Sequence, residues 1–97
     1  MDNRGSQIRV YSEAEQRRLL ENHIRRGVWR SISLIHRKHV EIEGLAITRA
    51  MGVGLQDYGD RLFHLSREEI DTEAMDEAAD LAVYEAVYDM RENGVIP

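Results

Sequence analysis

The sequence predicts an all-α protein: a small helical bundle with a long C-terminal helix. Two capping boxes, at Ser12 and Ser66, mark helix starts, and between them apolar residues recur at helical spacing. The one proline is the last residue, Pro97, so no predicted helix is interrupted by proline. Cysteine is absent, which excludes disulfides, thiolate metal sites and a cysteine nucleophile.

The length of 97 residues indicates one domain. We assign residues 1–11 to a flexible N-terminal tail and residues 12–97 to a single helical domain. No apolar run approaches the roughly 18 residues of a membrane span, so we expect no membrane partner. The first residues also lack the apolar core of a secretory signal, and a cytoplasmic location is therefore expected.

The first helix is predicted over residues 12–26. Ser12 and Glu15 have the spacing of a capping box, in which each side chain accepts a hydrogen bond from the backbone amide of the other. Arg25 and Arg26 suit a helix C-terminus, and Gly27 is placed to end the helix in a left-handed turn.

A second helix is predicted near residues 28–43, followed by a short third segment at 45–52 and a loop at 52–65. Its apolar stripe recurs at steps of four and three residues: Val28, Ile32, Ile35, His39, Ile42 and Ala46. On this stripe His39 is expected to be a core histidine. The alternation of apolar and acidic residues at 40–43 leaves a β-hairpin as the alternative.

The last helix is predicted near residues 67–93. It begins at a second capping box, Ser66 with Glu69, and reaches Gly94 without a breaking residue. A helix of about 26 residues is roughly 39 Å long, which exceeds any core that so short a chain supplies. We therefore expect a homo-oligomer, in which a dimer completes the bundle.

Charge is divided unevenly between the two parts of the chain. Residues 1–43 contain nine basic and six acidic residues, whereas residues 44–97 contain four basic and twelve acidic ones. The net charge is −5. Opposite charge in the two parts favours attraction between them, within one chain or across a dimer.

The last helix carries a concentration of carboxylates, which we call the acidic arc. Its members fall within about 100° of the helix circumference: Glu69, Glu73, Asp76, Glu77 and Asp80. Glu73, Glu77 and Asp80, at positions i, i+4 and i+7, present oxygens of the kind that Mg²⁺ prefers. The alternative is a solvated face, because apolar residues such as Ile70 and Leu81 lie on the other side of the helix.

The segment 76–84, which reads Asp-Glu-Ala-Ala-Asp-Leu-Ala-Val-Tyr, resembles the second acidic motif of the MazG-like all-α nucleoside triphosphate pyrophosphohydrolases. The preceding loop, residues 55–61, is similar to the glycine-marked loop of short phage and bacterial members. The resemblance covers roughly residues 50–90. It implies a helical bundle that binds Mg²⁺ and a nucleotide, and releases pyrophosphate when water attacks a phosphorus.

Transferred to this chain, the resemblance makes Asp76, Glu77 and Asp80 the metal-binding acids, with Glu73 as an additional carboxylate. The chain departs from the family pattern in its first acidic motif, a pair of glutamates three residues apart. Glu41 and Glu43 are only two apart and point about 200° from each other on a helix. A relative that kept the bundle and lost the chemistry is the alternative, so no catalytic residue and no enzyme class are assigned.

The first part of the chain supplies candidate contacts for phosphate or nucleic acid. These basic residues are Arg18, Arg25, Arg26, Arg30, Arg37 and Lys38. Arginine suits phosphate because its guanidinium is planar and bidentate. The functional hypotheses are thus a MazG-like protein with degenerate nucleotide pyrophosphohydrolase features, a non-enzymatic protein-interaction module that uses the acidic helix, and an arginine-mediated nucleic-acid binder.

Overall fold

The computed structural model describes residues 9–97, and this part of the chain is helical without strands. We label the α-helices α1 (Glu13–Arg37), α2 (His39–Arg49), α3 (Leu55–Tyr58) and α4 (Arg67–Glu92). A π-helical turn, Ala50–Gly54, joins α2 to α3, and a 3₁₀ turn, Arg61–His64, precedes α4. The all-α prediction is confirmed. Most of the predicted tail lies outside the described residues.

Helix α1 begins as predicted but does not end at Gly27. The Ser12 hydroxyl accepts a hydrogen bond from the Glu15 amide at 3.1 Å, and the Glu15 carboxylate accepts one from the Ser12 amide at 3.2 Å. The predicted end of the first helix at residue 26 and the predicted start of the second helix at residue 28 are therefore wrong. The chain breaks at Lys38 instead, where φ is −113° and ψ is 18°, and α2 follows. Residues 40–43 are helical, which excludes the hairpin.

Gly27 is required for close packing of two helices. A Cβ atom placed on it would overlap the carbonyl oxygen of Ala82 and lie 2.8 Å from the amide nitrogen of Ala86. Both atoms belong to the backbone of α4, so they have no flexible side chain to move aside. The glycine thus lets the backbones of α1 and α4 approach each other.

Helix α4 has the predicted bounds. The Ser66 hydroxyl accepts from the Glu69 amide at 3.1 Å, and the Glu69 carboxylate accepts from the Ser66 amide at 2.9 Å. At the other end Gly94 has a φ of +70°, the left-handed conformation that commonly ends helices. Sequence pattern was sufficient here because both ends are set by local hydrogen bonds.

The core is the antiparallel contact between α1 and the second half of α4. Leu19 clusters with Met90, and Gly27 meets Ala82 and Ala86, so residue numbers rise on one helix as they fall on the other. The partly buried apolar residues around this cluster are Tyr11, Leu20, Ile24 and Ile96. Half of the eight buried residues in the described chain are glycine, serine or alanine, so the core is thin.

Much of the predicted apolar stripe does not reach this core. Val28, Ile32 and Ile35 are 46%, 53% and 48% exposed. His39 was expected in the core, but it is exposed, and its Nδ1 lies 2.9 Å from the His36 carbonyl oxygen. The predicted stripe continues across the break at Lys38, but α2 beyond that break has no buried residue and no packed interface with α4.

Candidate functional site

The acidic arc lies on the half of α4 that no element of the described chain buries. Every residue from Arg67 to Asp80, which we call the free half of α4, is exposed, whereas four residues between Ala82 and Met90 are buried. The free half contains seven carboxylates and one arginine. Within residues 9–97 none of these carboxylates forms an ion pair.

Glu69 has a structural role. Its carboxylate accepts the hydrogen bond from the Ser66 backbone amide, and this bond lowers the pKa of Glu69 below its ordinary value, with a further contribution from the Ser66 hydroxyl. The remaining members of the arc, Glu73, Asp76, Glu77 and Asp80, make no such contact among the described residues. They are the four predicted metal-binding acids.

The described part of the chain contains no group of three or more histidine, aspartate or glutamate side chains arranged to hold a metal ion. The four acids share one face of α4, and the carboxylate of Asp60, from the segment before α4, lines the same cavity as Glu73 but pairs with His64 at 2.9 Å. Glu41 and Glu43 lie on α2, which has no packed interface with α4. Oxygen donors of this kind suit Mg²⁺, yet they line only one side of the space that a cation would occupy. Magnesium at these residues stays a prediction.

A cavity of about 630 Å³ lies between the 50–65 segment and the start of α4. Its wall is mainly apolar, and its residues include Met51, Leu55, Tyr58, Leu62, Phe63 and Leu65. Glu73 is the one member of the acidic arc that lines it, together with Asp60 and Arg61. The Arg61 guanidinium lies 5.9 Å from the centre of the Tyr58 ring. One predicted metal-binding acid therefore adjoins an aromatic and cationic pocket.

Two of the six predicted phosphate-contacting residues pair with acidic residues of α4. Arg30 contacts Glu92 at 2.6 Å and Glu85 at 3.6 Å, and its guanidinium lies 4.8 Å from the centre of the Tyr88 ring. Arg26 lies 3.5 Å from Asp89. These arginines hold α4 against α1.

Of the other four predicted contacts, Arg18 lines a cavity of about 500 Å³ together with Arg17 and Glu21. Arg18 and Arg25 are exposed along α1, and Arg37 is exposed at its end. Lys38 pairs with Glu41 at 3.2 Å. The basic residues thus follow the length of α1.

Sequence reasoning missed a buried polar pair between the two long helices. His23 Nδ1 lies 2.7 Å from Asp89 Oδ2, and both residues are buried. The hydrogen bond from His23 lowers the pKa of Asp89, and the charge of Arg26 lowers it further. The signal was the four-residue spacing of Leu19, His23, Gly27 and Ser31, which puts His23 on the packed face.

Comparisons of the chain with protein-family models, with curated proteins and with solved structures found no match. Among the described residues no helix has the length and apolar character needed to cross a membrane.

Proposed function

We propose that the protein is an interaction module that docks the acidic arc of α4 on a basic surface of a partner protein. The observation that carries this proposal is the free half of α4: seven carboxylates on an exposed helix, none of which forms an ion pair among the described residues. This is the non-enzymatic alternative that the sequence left open.

The spacing of these carboxylates is unfavourable for an isolated helix. Glu73 lies four residues from Glu77, and Asp76 lies four residues from Asp80. Like charges at this spacing destabilise a helix by about 0.2–0.5 kcal/mol for each pair. A cationic surface opposite the arc relieves this repulsion, and the capping box at Ser66 preserves the helix that presents it.

The test is the binding of a fluorescent oligo-lysine peptide, measured by anisotropy at low and high salt. The wild-type chain is expected to bind at low salt and to lose the peptide as salt screens the charges. Neutralising three members of the arc (Glu73→Gln, Glu77→Gln and Asp80→Asn together) is expected to abolish most of the binding.

The matched control removes three exposed carboxylates elsewhere: Glu13→Gln, Glu21→Gln and Glu43→Gln together. It changes the net charge by the same amount, so it is expected to bind nearly as the wild type does. Equal losses in the two triple variants would show that only net charge matters, which would remove the acidic arc as the docking site. Addition of EDTA is expected to leave the melting temperature unchanged.

A second candidate is the MazG-like function, a Mg²⁺-dependent nucleotide pyrophosphohydrolase or a degenerate relative of one. It is supported by the position of Glu73 on the wall of the cavity that also contains Tyr58 and Arg61. An aromatic ring and a guanidinium are suitable contacts for a base and a phosphate. The acids beside them would hold the cation on the triphosphate.

Isothermal titration of Mg²⁺, with and without a nucleoside triphosphate, tests this second candidate. It predicts heat that depends on the nucleotide, pyrophosphate release, and a higher melting temperature with Mg²⁺. The triple variant of the arc is expected to lose all three. Absence of both heat and pyrophosphate in the wild-type chain would exclude it and leave the interaction module unaffected.

A further inference from the structure

The chain exposes more surface than a compact monomer of its size. Its radius of gyration is 17.6 Å, compared with roughly 12.5 Å for a compact domain of this length. Its accessible surface is 8445 Å², compared with roughly 5,700 Å² for a folded monomer of equal mass. The excess is larger than the about 800 Å² that each partner contributes to a standard interface.

Part of this surface is an apolar strip along one side of the α1–α4 contact, which we call the open strip. It consists of Val28, Ile32 and Ile35 on α1, and Val83 and Val87 on α4. Gly27 lies on the face of α1 that contacts α4, and the three α1 residues of the strip are rotated about 80–140° from it around the helix axis. The two valines of α4 are rotated to the same side of the antiparallel pair. Four of the five are 41–53% exposed and Val87 is partly buried, because these side chains lie at the edge of the contact between the two helices.

On the other side of the α1–α4 contact, ion pairs join the two helices. Arg26 and Arg30 there reach Asp89, Glu85 and Glu92. One side of the helix pair is therefore covered by ion-paired side chains, whereas the side with the open strip exposes apolar side chains. A third and a fourth helix on that side would complete a bundle.

The charges of α1 and α4 indicate which helices would take the third and fourth positions of this bundle. Helix α1 contains six arginines and three glutamates, whereas α4 contains ten carboxylates and two arginines. Consider a second copy related to the first by a two-fold axis parallel to the helices. Its α1 then lies on α4 of the first copy, and its α4 lies on α1 of the first copy. Both new contacts then join a basic helix to an acidic one, as the contact within each chain already does.

We propose that the open strip is the self-association surface of a homodimer, in which two α1–α4 pairs form a four-helix bundle. The interface is isologous and its centre is apolar. This inference concerns a different surface from the acidic arc, and it holds whether or not the arc binds a basic partner.

Sedimentation equilibrium of the full chain at micromolar concentration tests the proposal. The wild type is expected at twice the chain mass of 11.2 kDa. Ile32→Glu puts a charge at the centre of the strip and is expected to return the mass to that of one chain, with helical circular dichroism retained. Ser33→Glu, the adjacent exposed position rotated away from the strip, is expected to remain a dimer.

If Ile32→Glu loses its helical signal, Ile35→Asn, a milder change in the same strip, gives a second measurement. It is expected to weaken the dimer at least tenfold. A wild-type chain that sediments as a monomer, or a folded Ile32→Glu chain that stays dimeric, would overturn the proposal. Neither outcome bears on oligo-lysine binding, so this failure and that of the proposed function are distinguishable.

Discussion

Two contacts between individual residues determine how α1 meets α4. Gly27 leaves room for the α4 backbone, and His23 forms a hydrogen bond with Asp89 beside it. Each involves a residue type that is unusual inside a helix interface, a glycine in one case and an ionisable pair in the other. The remaining buried residues are mostly small or partly covered, so these two contacts carry much of the specificity of the pairing.

Replacing Gly27 by alanine is expected to destabilise the protein. Alanine is better than glycine in a helix by about 1 kcal/mol, but the added methyl group would collide with backbone atoms of Ala82 and Ala86 and force the helices apart. We expect a net loss of about 1–3 kcal/mol in the free energy of unfolding, measured by urea denaturation.

Gly44→Ala is the matched control, because nothing lies within 4 Å of the position that its methyl group would occupy. It is expected to leave stability unchanged or to raise it by up to about 1 kcal/mol. Gly27→Ala at least as stable as the wild type would contradict the close approach of the two helices.

Asp89 makes stability depend on pH in the acid range. Its folded pKa lies below its unfolded value, so its contribution is complete above the unfolded value, near pH 4, and is lost as the pH falls further. Asp89→Asn is expected to reduce the free energy of unfolding by about 1–3 kcal/mol at neutral pH, because His23 and Arg26 lose a charged partner. The variant should then lose less stability than the wild type on acidification.

The control for Asp89 is Asp80→Asn on the exposed face of the same helix. It is expected to change stability by less than about 0.5 kcal/mol, since Asp80 makes no ion pair within the described chain. Denaturant titrations at several pH values give both results. An Asp89→Asn chain as stable as the wild type at neutral pH would show that the buried pair contributes nothing.

The helices differ in how far the sequence determines them. Both capping boxes and the bounds of α4 could be predicted, because the hydrogen bonds at helix ends are local. The sequence wrongly predicts a helix end at Gly27, because glycine suits a helix end and a close helix contact equally, and only the position of α4 distinguishes the two. The sequence predicts His39 in a core because periodicity does not show that α2 lies outside the contact with α4.

The two capping boxes are expected to contribute differently to overall stability. Ser12→Ala removes the cap of a helix whose packed face begins at Leu19, and we expect it to lower the free energy of unfolding by about 1 kcal/mol. Ser66→Ala removes the cap of the free half of α4, which is far from the packed residues. It should reduce helical circular dichroism while leaving the urea midpoint nearly unchanged.

Equal shifts of the urea midpoint in Ser12→Ala and Ser66→Ala would contradict this expectation. That result would mean that the free half of α4 unfolds cooperatively with the core, and hence that something covers it. The comparison needs only the two single variants and the wild type.

As a whole molecule, the protein is a pair of packed helices from which two elements project. α2 has no buried residue, and the free half of α4 extends beyond the contact with α1. The acidic arc and the open strip are separate consequences of this shape. We propose the first as the contact for a basic partner and the second as the contact for another copy of the chain.

The acidic arc was visible in the sequence, because its residues follow helical spacing on one element. Whether anything faces it depends on contacts between distant segments, which a single sequence does not report. The structure brings Glu73 to the wall of a cavity and leaves the other three predicted metal-binding acids on an open helix. The MazG-like resemblance likewise rests on local motifs, and the opposing acidic pair that it requires is not supplied by α2.

Amide hydrogen exchange followed by mass spectrometry tests most directly whether the two halves of α4 differ as described. In dilute wild-type protein, peptides from residues 67–80 are expected to exchange at least roughly tenfold faster than those from residues 82–90, which α1 covers. Addition of the oligo-lysine peptide should slow exchange in residues 67–80 alone. Uniform protection along α4 in the free chain would contradict the account, because it would mean that the acidic face is already held by the protein itself.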